Sequence, residues 1–161
     1  MDPATGALTR GYTETQLQEH LETFERHKVP FGVLAMQLDG LEKMKAKHGA
    51  GAVTAMMKLA GHTLLNGLRT PDQLGRWTDY EYLVIAAECG EKETARVAER
   101  LRKMVNGAAV EWWGDQLRVT LSTGVAAAKD GDSAQSIVQR VERALQQAVT
   151  EGGDRMVIAY D

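Results

Sequence analysis

Apolar positions recur along this chain at two periods, helical and alternating, and the order in which they follow one another predicts the architecture. From Thr13 to His27, Leu17, Leu21 and Phe24 stand at helical spacing, with Thr13 placed as a cap, Gln16 three residues on, and Val29-Pro30 as the stop. Phe31 to Leu38 is a short apolar run closed by Asp39-Gly40, the pattern of a strand followed by a turn. Leu41 to His48 predicts a short helix broken by Gly49-Ala50-Gly51. A longer helix then runs to about Leu68, with Val53, Met56, Met57, Ala60 and Leu64 on its inner face. Gln73 to Thr78 and Glu81 to Ala87 predict two strands of a β-hairpin, and Glu91 to Asn106 an amphipathic helix with arginines on its polar face. Ala108 to Trp113 and Leu117 to Ala128 predict a second hairpin turning near Gly114-Asp115. Ser133 to Val149 predicts a last helix, capped by Asp132 or Ser133, and Met156 to Tyr160 a final strand.

Two hairpins interrupt the alternation of strand and helix. The expected class is therefore α/β of the α+β type, a mixed and mostly antiparallel sheet flanked by helices, and not a doubly wound sheet. No GxGxxG or other glycine-rich phosphate loop is present. With 161 residues, three prolines and no linker-like run, one domain over residues 1–161 is expected. Composition adds few constraints: 43% hydrophobic and 25% charged residues match an ordinary soluble domain. A net charge of −3 gives no electrostatic footprint for nucleic acid. The lone Cys89 cannot form an internal disulfide and fits a reducing compartment. No segment has the length and apolarity of a membrane span, and residues 1–20 hold no signal-peptide core, so a cytoplasmic location without membrane insertion is expected. His20, His27, His48 and His62 are scattered, which gives no metal-ligand spacing. Met36, Met44, Met56 and Met57 read as core filler. Of Trp112 and Trp113, one ring is expected on the sheet and the other half-exposed.

The stretch Arg69-Thr70-Pro71-Asp72, five residues, then Thr78-Asp79-Tyr80-Glu81-Tyr82 and an apolar strand resembles the signature region of GGDEF domains, the family of bacterial diguanylate cyclases. The RxxD and its spacer are intact, while Thr78-Asp79-Tyr80-Glu81-Tyr82 stands in place of Gly-Gly-Asp/Glu-Glu-Phe. The resemblance runs through nearly the whole chain. Asp2-Pro3-Ala4-Thr5-Gly6-Ala7-Leu8-Thr9-Arg10 is similar to the family's opening D-x-L-T-G-L-x-N-R, and Val119-Thr120-Leu121-Ser122-Thr123-Gly124-Val125-Ala126 to its V-T-x-S-x-G-V-A strand. Gly49 takes the place of the family's glycine after the first strand, and Glu142 to Ala148 followed by Gly152 resembles its close. The resemblance implies the palm-like cyclase fold. Because the chain begins at the opening motif, it reads as a piece of a longer signalling protein with a sensory domain upstream.

By resemblance, the two metal carboxylates of the family fall on Gln37 and Tyr80, the guanine-reading pair on Lys45 and Thr54, and the phosphate-binding lysines on Glu42 and Val149. An amide and a phenol are poor ligands for magnesium at neutral pH. Of the signature acids only Glu81 remains, Tyr82 replaces the family's phenylalanine and should be partly buried, and Tyr80 is placed to plug the cleft. The resulting expectation is a non-enzyme with no cofactor, a degenerate cyclase kept for binding. A shifted carboxylate set of Asp39, Asp79 and Glu81 is the catalytic alternative.

In the family, RxxD marks the inhibitory site for cyclic di-GMP, bound as an intercalated dimer. The residue types suit that ligand: an arginine fork pairs with phosphate or the O6/N7 edge of guanine, and a carboxylate accepts from N1 and N2. The expected ligand residues are Arg69 and Asp72, completed by Arg96 and Arg100, which share one face of their helix. Expected partners are cyclic di-GMP, a second subunit or an upstream sensory domain. The competing readings are a protein-interaction module that binds no nucleotide, then a GTP sensor, then a residual cyclase.

Overall fold

A computed structural model describes residues 1–160. The elements in chain order are α1 (Arg10–His27), β1 (Phe31–Leu38), α2 (Leu41–His48), α3 (Ala50–Gly67), β2 (Gln73–Thr78), β3 (Glu81–Ala87), α4 (Glu91–Asn106), β4 (Val110–Trp112), β5 (Asp115–Leu117), β6 (Leu121–Ala127), α5 (Ala134–Thr150) and β7 (Arg155–Ile158). Five strands form one sheet in the order β2-β3-β1-β6-β7, and β4-β5 stand apart as a hairpin. The β2–β3, β3–β1 and β1–β6 pairings are antiparallel, while β6–β7 is parallel. The mixed, mostly antiparallel sheet expected from the two hairpins is what forms.

Strand alternation sends side chains of the sheet into two separate cores. On one face Leu34, Met36, Tyr82 and Val84 pack against Met56, Met57 and Leu64 of α3 and Val97 and Leu101 of α4. On the other, Val33, Ala35, Leu83 and Ile85 pack against Leu17 and Leu21 of α1 and Ile137, Val141 and Leu145 of α5. The result is a sheet held between two helical layers.

Four expectations are corrected here. Helix α1 begins at Arg10, capped by Thr9, whose hydroxyl accepts from the Tyr12 amide. Thr13, expected as the cap, is buried inside the first turn and its hydroxyl donates to the Thr9 carbonyl at 2.7 Å. The run Leu117 to Ala128 is not one strand: it breaks after β5, and the amide of Asp39 donates to the Thr120 carbonyl in the gap before β6 begins. Trp112 packs against the core and covers Gly51, but Trp113 is 91% exposed at a turn with φ of +50°, followed by Gly114 at +89°. Tyr82 is fully buried, not partly. Its hydroxyl finds a partner in the Met57 carbonyl at 2.6 Å, and burial pushes its pKa up to about 12.

Candidate functional site

Two places gather the residues singled out in the sequence. The first is a cleft of about 690 Å³ beyond the end of β1, walled by Gln37, Leu38, Asp39, Leu41, Lys45 and Tyr80 among others. Gly40 turns the chain from β1 into α2 with φ of +79°, a left-handed conformation open to glycine, and no side chain caps the helix behind it. The β2–β3 turn forms the opposite lip. Arg76 fixes that turn by donating to the Thr78 carbonyl at 3.2 Å and the Asp79 carbonyl at 2.6 Å, while its other nitrogen reaches the Asp2 carboxylate at 3.0 Å. The Thr78 hydroxyl donates to Glu81 at 3.1 Å and accepts from the Tyr80 amide at 3.3 Å. Tyr80 lines the cleft but leaves 46% of its surface exposed, so it walls the cavity without filling it.

Glu81 stands directly across from Gln37 in the β1–β3 register, with Glu142 and Arg10 within electrostatic range. Burial raises its carboxyl above the usual range; the Thr78 hydroxyl opposes the shift and Glu142 adds to it. A raised folded-state pKa means that the folded chain binds more protons, so stability falls as pH rises from 4.5, the ordinary glutamate value, through the folded value. Glu81→Gln is therefore expected to melt above the parent at neutral pH, with the difference fading below the ordinary glutamate pKa. A melting series across pH checks this, and a variant less stable at pH 7 would contradict it.

A divalent cation needs several hard oxygen donors. Gln37 offers an amide and Tyr80 a phenol. Both oxygens of Asp39 are already used, accepting from the Thr120 hydroxyl at 2.6 Å, the Ser122 hydroxyl at 2.6 Å and the Asp154 amide at 2.9 Å. The alternative set of Asp39, Asp79 and Glu81 is not assembled: no group of three such residues converges on a metal position among the described residues. The donor set of this cleft does not fit magnesium.

The second place is the corner where α3 ends, β2 begins and α4 passes. Asp72 turns inward, its side chain fully buried, and accepts from the Ala87 amide at 3.0 Å and from the Arg69 amide at 3.1 Å. The Arg69 guanidinium lies across that carboxylate in a fork, Nε to Oδ2 at 3.1 Å and Nη2 to Oδ1 at 2.8 Å. Nη2 also donates to the Ala87 carbonyl at 2.6 Å and lies 3.3 Å from Cys89 Sγ, and burial pushes that thiol up and keeps it protonated. Although held on one side, the Arg69 side chain remains 47% exposed on the other. Arg100 joins the corner from α4, donating from Nε at 3.2 Å and Nη2 at 2.8 Å to Gly67, the last residue of α3. Arg96 lies one turn earlier on the same face of α4, exposed to solvent. Cys89 was not singled out as part of this corner in the sequence; its place follows only from the β3–α4 connection folding back over Arg69.

Residues 1–155 match the family model described as "Diguanylate cyclase, GGDEF domain". The chain belongs to the GGDEF-domain family. Among relatives, diguanylate cyclase A of Treponema denticola is 26% identical over 162 residues, covering 98% of this chain and 44% of its own length. The response regulator PleD of Caulobacter vibrioides is 26% identical over 159 residues, covering 97% of this chain and 35% of its own. The chain thus spans less than half the length of these relatives. Among solved structures, diguanylate cyclase SiaD from Pseudomonas aeruginosa, in complex with its activator SiaC, superposes with a TM-score of 0.95 at 27% identity over 98% of this chain and 61% of that one. The GGDEF domain of DgcB from Caulobacter crescentus, in complex with c-di-GMP, gives 0.95 at 18% identity over 100% of this chain and 93% of that one.

The family sets one expectation right. A non-enzyme was expected from the changed signature, yet the family model and the relatives that cover nearly the whole chain are those of diguanylate cyclases. Gln37 and Tyr80 line the cleft as an amide and a phenol, and neither shows this domain to be inactive. No helix among the described residues is long and apolar enough to cross a membrane.

Proposed function

We propose that this GGDEF domain is a cyclic di-GMP-binding signalling module of the cytoplasm, with the ligand held at the corner formed by Arg69, Asp72, Arg96 and Arg100. The observation that carries this reading is the Arg69 side chain, clamped on one edge by Asp72 and the Ala87 carbonyl and left 47% exposed on the other. A guanidinium fixed in this way meets a guanine edge or a phosphate with little rotamer entropy left to lose. Asp72, with its oxygens accepting from Arg69 and Ala87, acts first as the residue that orients Arg69. Arg100 and Arg96 add positive charge from α4, suited to the two phosphates of the ligand. Cyclic di-GMP as an intercalated dimer would present stacked guanines to these three arginines, with a second subunit or an upstream domain closing the far side. A GGDEF domain of the same fold in complex with c-di-GMP supports the ligand class.

Residue-resolved NMR tests the location. Cyclic di-GMP is expected to shift amides of residues 67–72 and 96–100, and GTP with magnesium to leave them in place. Shifts from cyclic di-GMP confined to residues 37–45 and Tyr80 would move its site to the cleft. A second reading, docking of a protein activator, draws on the complex of SiaD with SiaC; it gains ground if cyclic di-GMP shifts nothing.

A further inference from the structure

We propose that the tip of the β4–β5 hairpin docks an arginine- or lysine-bearing segment of a partner protein, with Trp113 as the aromatic platform and Glu111 and Asp115 as the opposing charges. No residue of this hairpin lines the cleft beyond β1, and the proposal does not depend on the cyclic di-GMP reading. The hairpin stands outside the five-stranded sheet, yet it is anchored. Val110 and Trp112 pack on the core and Leu117 is buried in it, while the Trp112 ring covers Gly51 at the start of α3. The other side of the hairpin carries Glu111 and Gln116, cross-strand partners that are both exposed, with the Gln116 amide donating to Glu111 at 3.3 Å. Trp113 stands at the turn between the two strands, almost wholly in solvent.

Packing does not account for a tryptophan at this position. Trp113 and Gly114, with φ of +50° and +89°, form a two-residue turn of the kind that asparagine and glycine usually supply. A bulky side chain in that left-handed region is strained, and here no burial offsets the strain. What the turn achieves is presentation: a large ring held out to solvent on an anchored hairpin, the kind of residue that dominates binding at protein interfaces. Charge selects the partner. Glu111 and Asp115 flank the ring, both exposed and neither engaged in a salt bridge among the described residues. Arg118, at the base of the hairpin, is turned toward the Gly107 carbonyl. An aromatic face beside two carboxylates attracts a guanidinium or ammonium group through the ring quadrupole and the charges together. The same carboxylates repel an anionic lipid surface, and they would oppose one another if two hairpin tips met.

The test is NMR titration of the whole chain with a hexa-arginine peptide, following the tryptophan indole and backbone amide signals. The Trp113 indole and the amides of residues 111–116 are expected to shift saturably with hexa-arginine and to stay in place with hexa-glutamate. The exposed Glu19, Glu22 and Glu25 of α1 offer comparable negative charge without an exposed ring, and their amides are expected to move little. Binding is expected to weaken about threefold or more in Trp113→Asn, the scale of an exposed cation–π contact, and likewise in Glu111→Gln combined with Asp115→Asn. Trp113→Asn also separates docking from folding. Asparagine suits the left-handed turn, so this variant is expected to melt at or above the parent. Absence of hairpin shifts, shifts no larger on the hairpin than on α1, undiminished binding by Trp113→Asn, or a lower melting temperature for it would overturn the proposal. Hairpin shifts produced by phosphatidylserine vesicles, or by raising the concentration of the chain itself, would also overturn it and assign the tip to a lipid surface or to a second copy.

Discussion

Gly124→Ala is expected to destabilise the chain by about 3 kcal/mol or more, enough to consume much of the stability of an ordinary domain. Gly124 sits in β6, an interior strand between β1 and β7, on the face covered by α5. A Cβ built there would lie 2.1 Å from the Val141 carbonyl oxygen and 2.5 Å from the Leu145 amide nitrogen. Both are backbone atoms of α5, so no rotamer change relieves the clash and the helix itself must move. That helix carries Ile137, Val141 and Leu145 into the core, and moving it opens the packing along its length. Gly11→Ala is the matched control, because a Cβ there meets nothing within 4 Å and alanine suits the first turn of α1 better than glycine. Urea unfolding followed by circular dichroism should show a large loss for Gly124→Ala and a small gain for Gly11→Ala. Equal midpoints for the two variants would contradict the close approach of α5 to the sheet.

The second large effect concerns Arg69. Its removal is expected to weaken cyclic di-GMP binding at least about 100-fold, the scale of losing a forked charge-assisted contact. The same substitution removes the partner of a fully buried carboxylate, leaving Asp72 with the amides of Arg69 and Ala87 alone. Some loss of stability is therefore expected as well, and Arg69→Lys serves to separate the two. Lysine keeps the charge beside Asp72 but not the planar fork, so fold stability should largely return while binding should not. Asp72→Ala costs the fold in another way: it leaves the buried Ala87 amide without its acceptor and frees the half-exposed Arg69 guanidinium, and a loss of about 1–3 kcal/mol is expected.

Much of the fold could be read from local punctuation. The bounds of β1, α2, β2, β3 and α4 coincide with those expected, because all but β3 end at or just before a Gly, Asn or Asp whose backbone preference is local. The misreadings have non-local causes. Thr9 and Thr13 are both capable caps, and the choice is made by Gly75, whose missing Cβ leaves room for the Thr13 side chain to be buried. The gap between β5 and β6 follows from the Asp39 amide taking the Thr120 carbonyl, a contact across much of the sequence that no periodicity records.

The arginine corner shows the same division. The three-residue spacing of Arg69 and Asp72 on a proline-containing turn is visible in the sequence. That Asp72 turns inward to the Ala87 amide, and that Cys89 abuts the guanidinium, depends on the β3–α4 connection folding back. In the cleft, the identities of Gln37 and Tyr80 were legible, whereas the hydrogen bonds that Asp39 accepts from Thr120, Ser122 and the Asp154 amide were not. The expectation of a non-enzyme arose from residue identities alone, and membership of a cyclase family corrects it.

The most direct test of the ligand assignment is calorimetric titration of the parent chain and Arg69→Lys with cyclic di-GMP. Micromolar or tighter binding by the parent is expected, with a loss of about 100-fold or more in a variant that still folds. Equal affinities for the two, or no heat of binding from the parent, would contradict it and leave the arginine corner as a structural fastening between α3, β2 and α4.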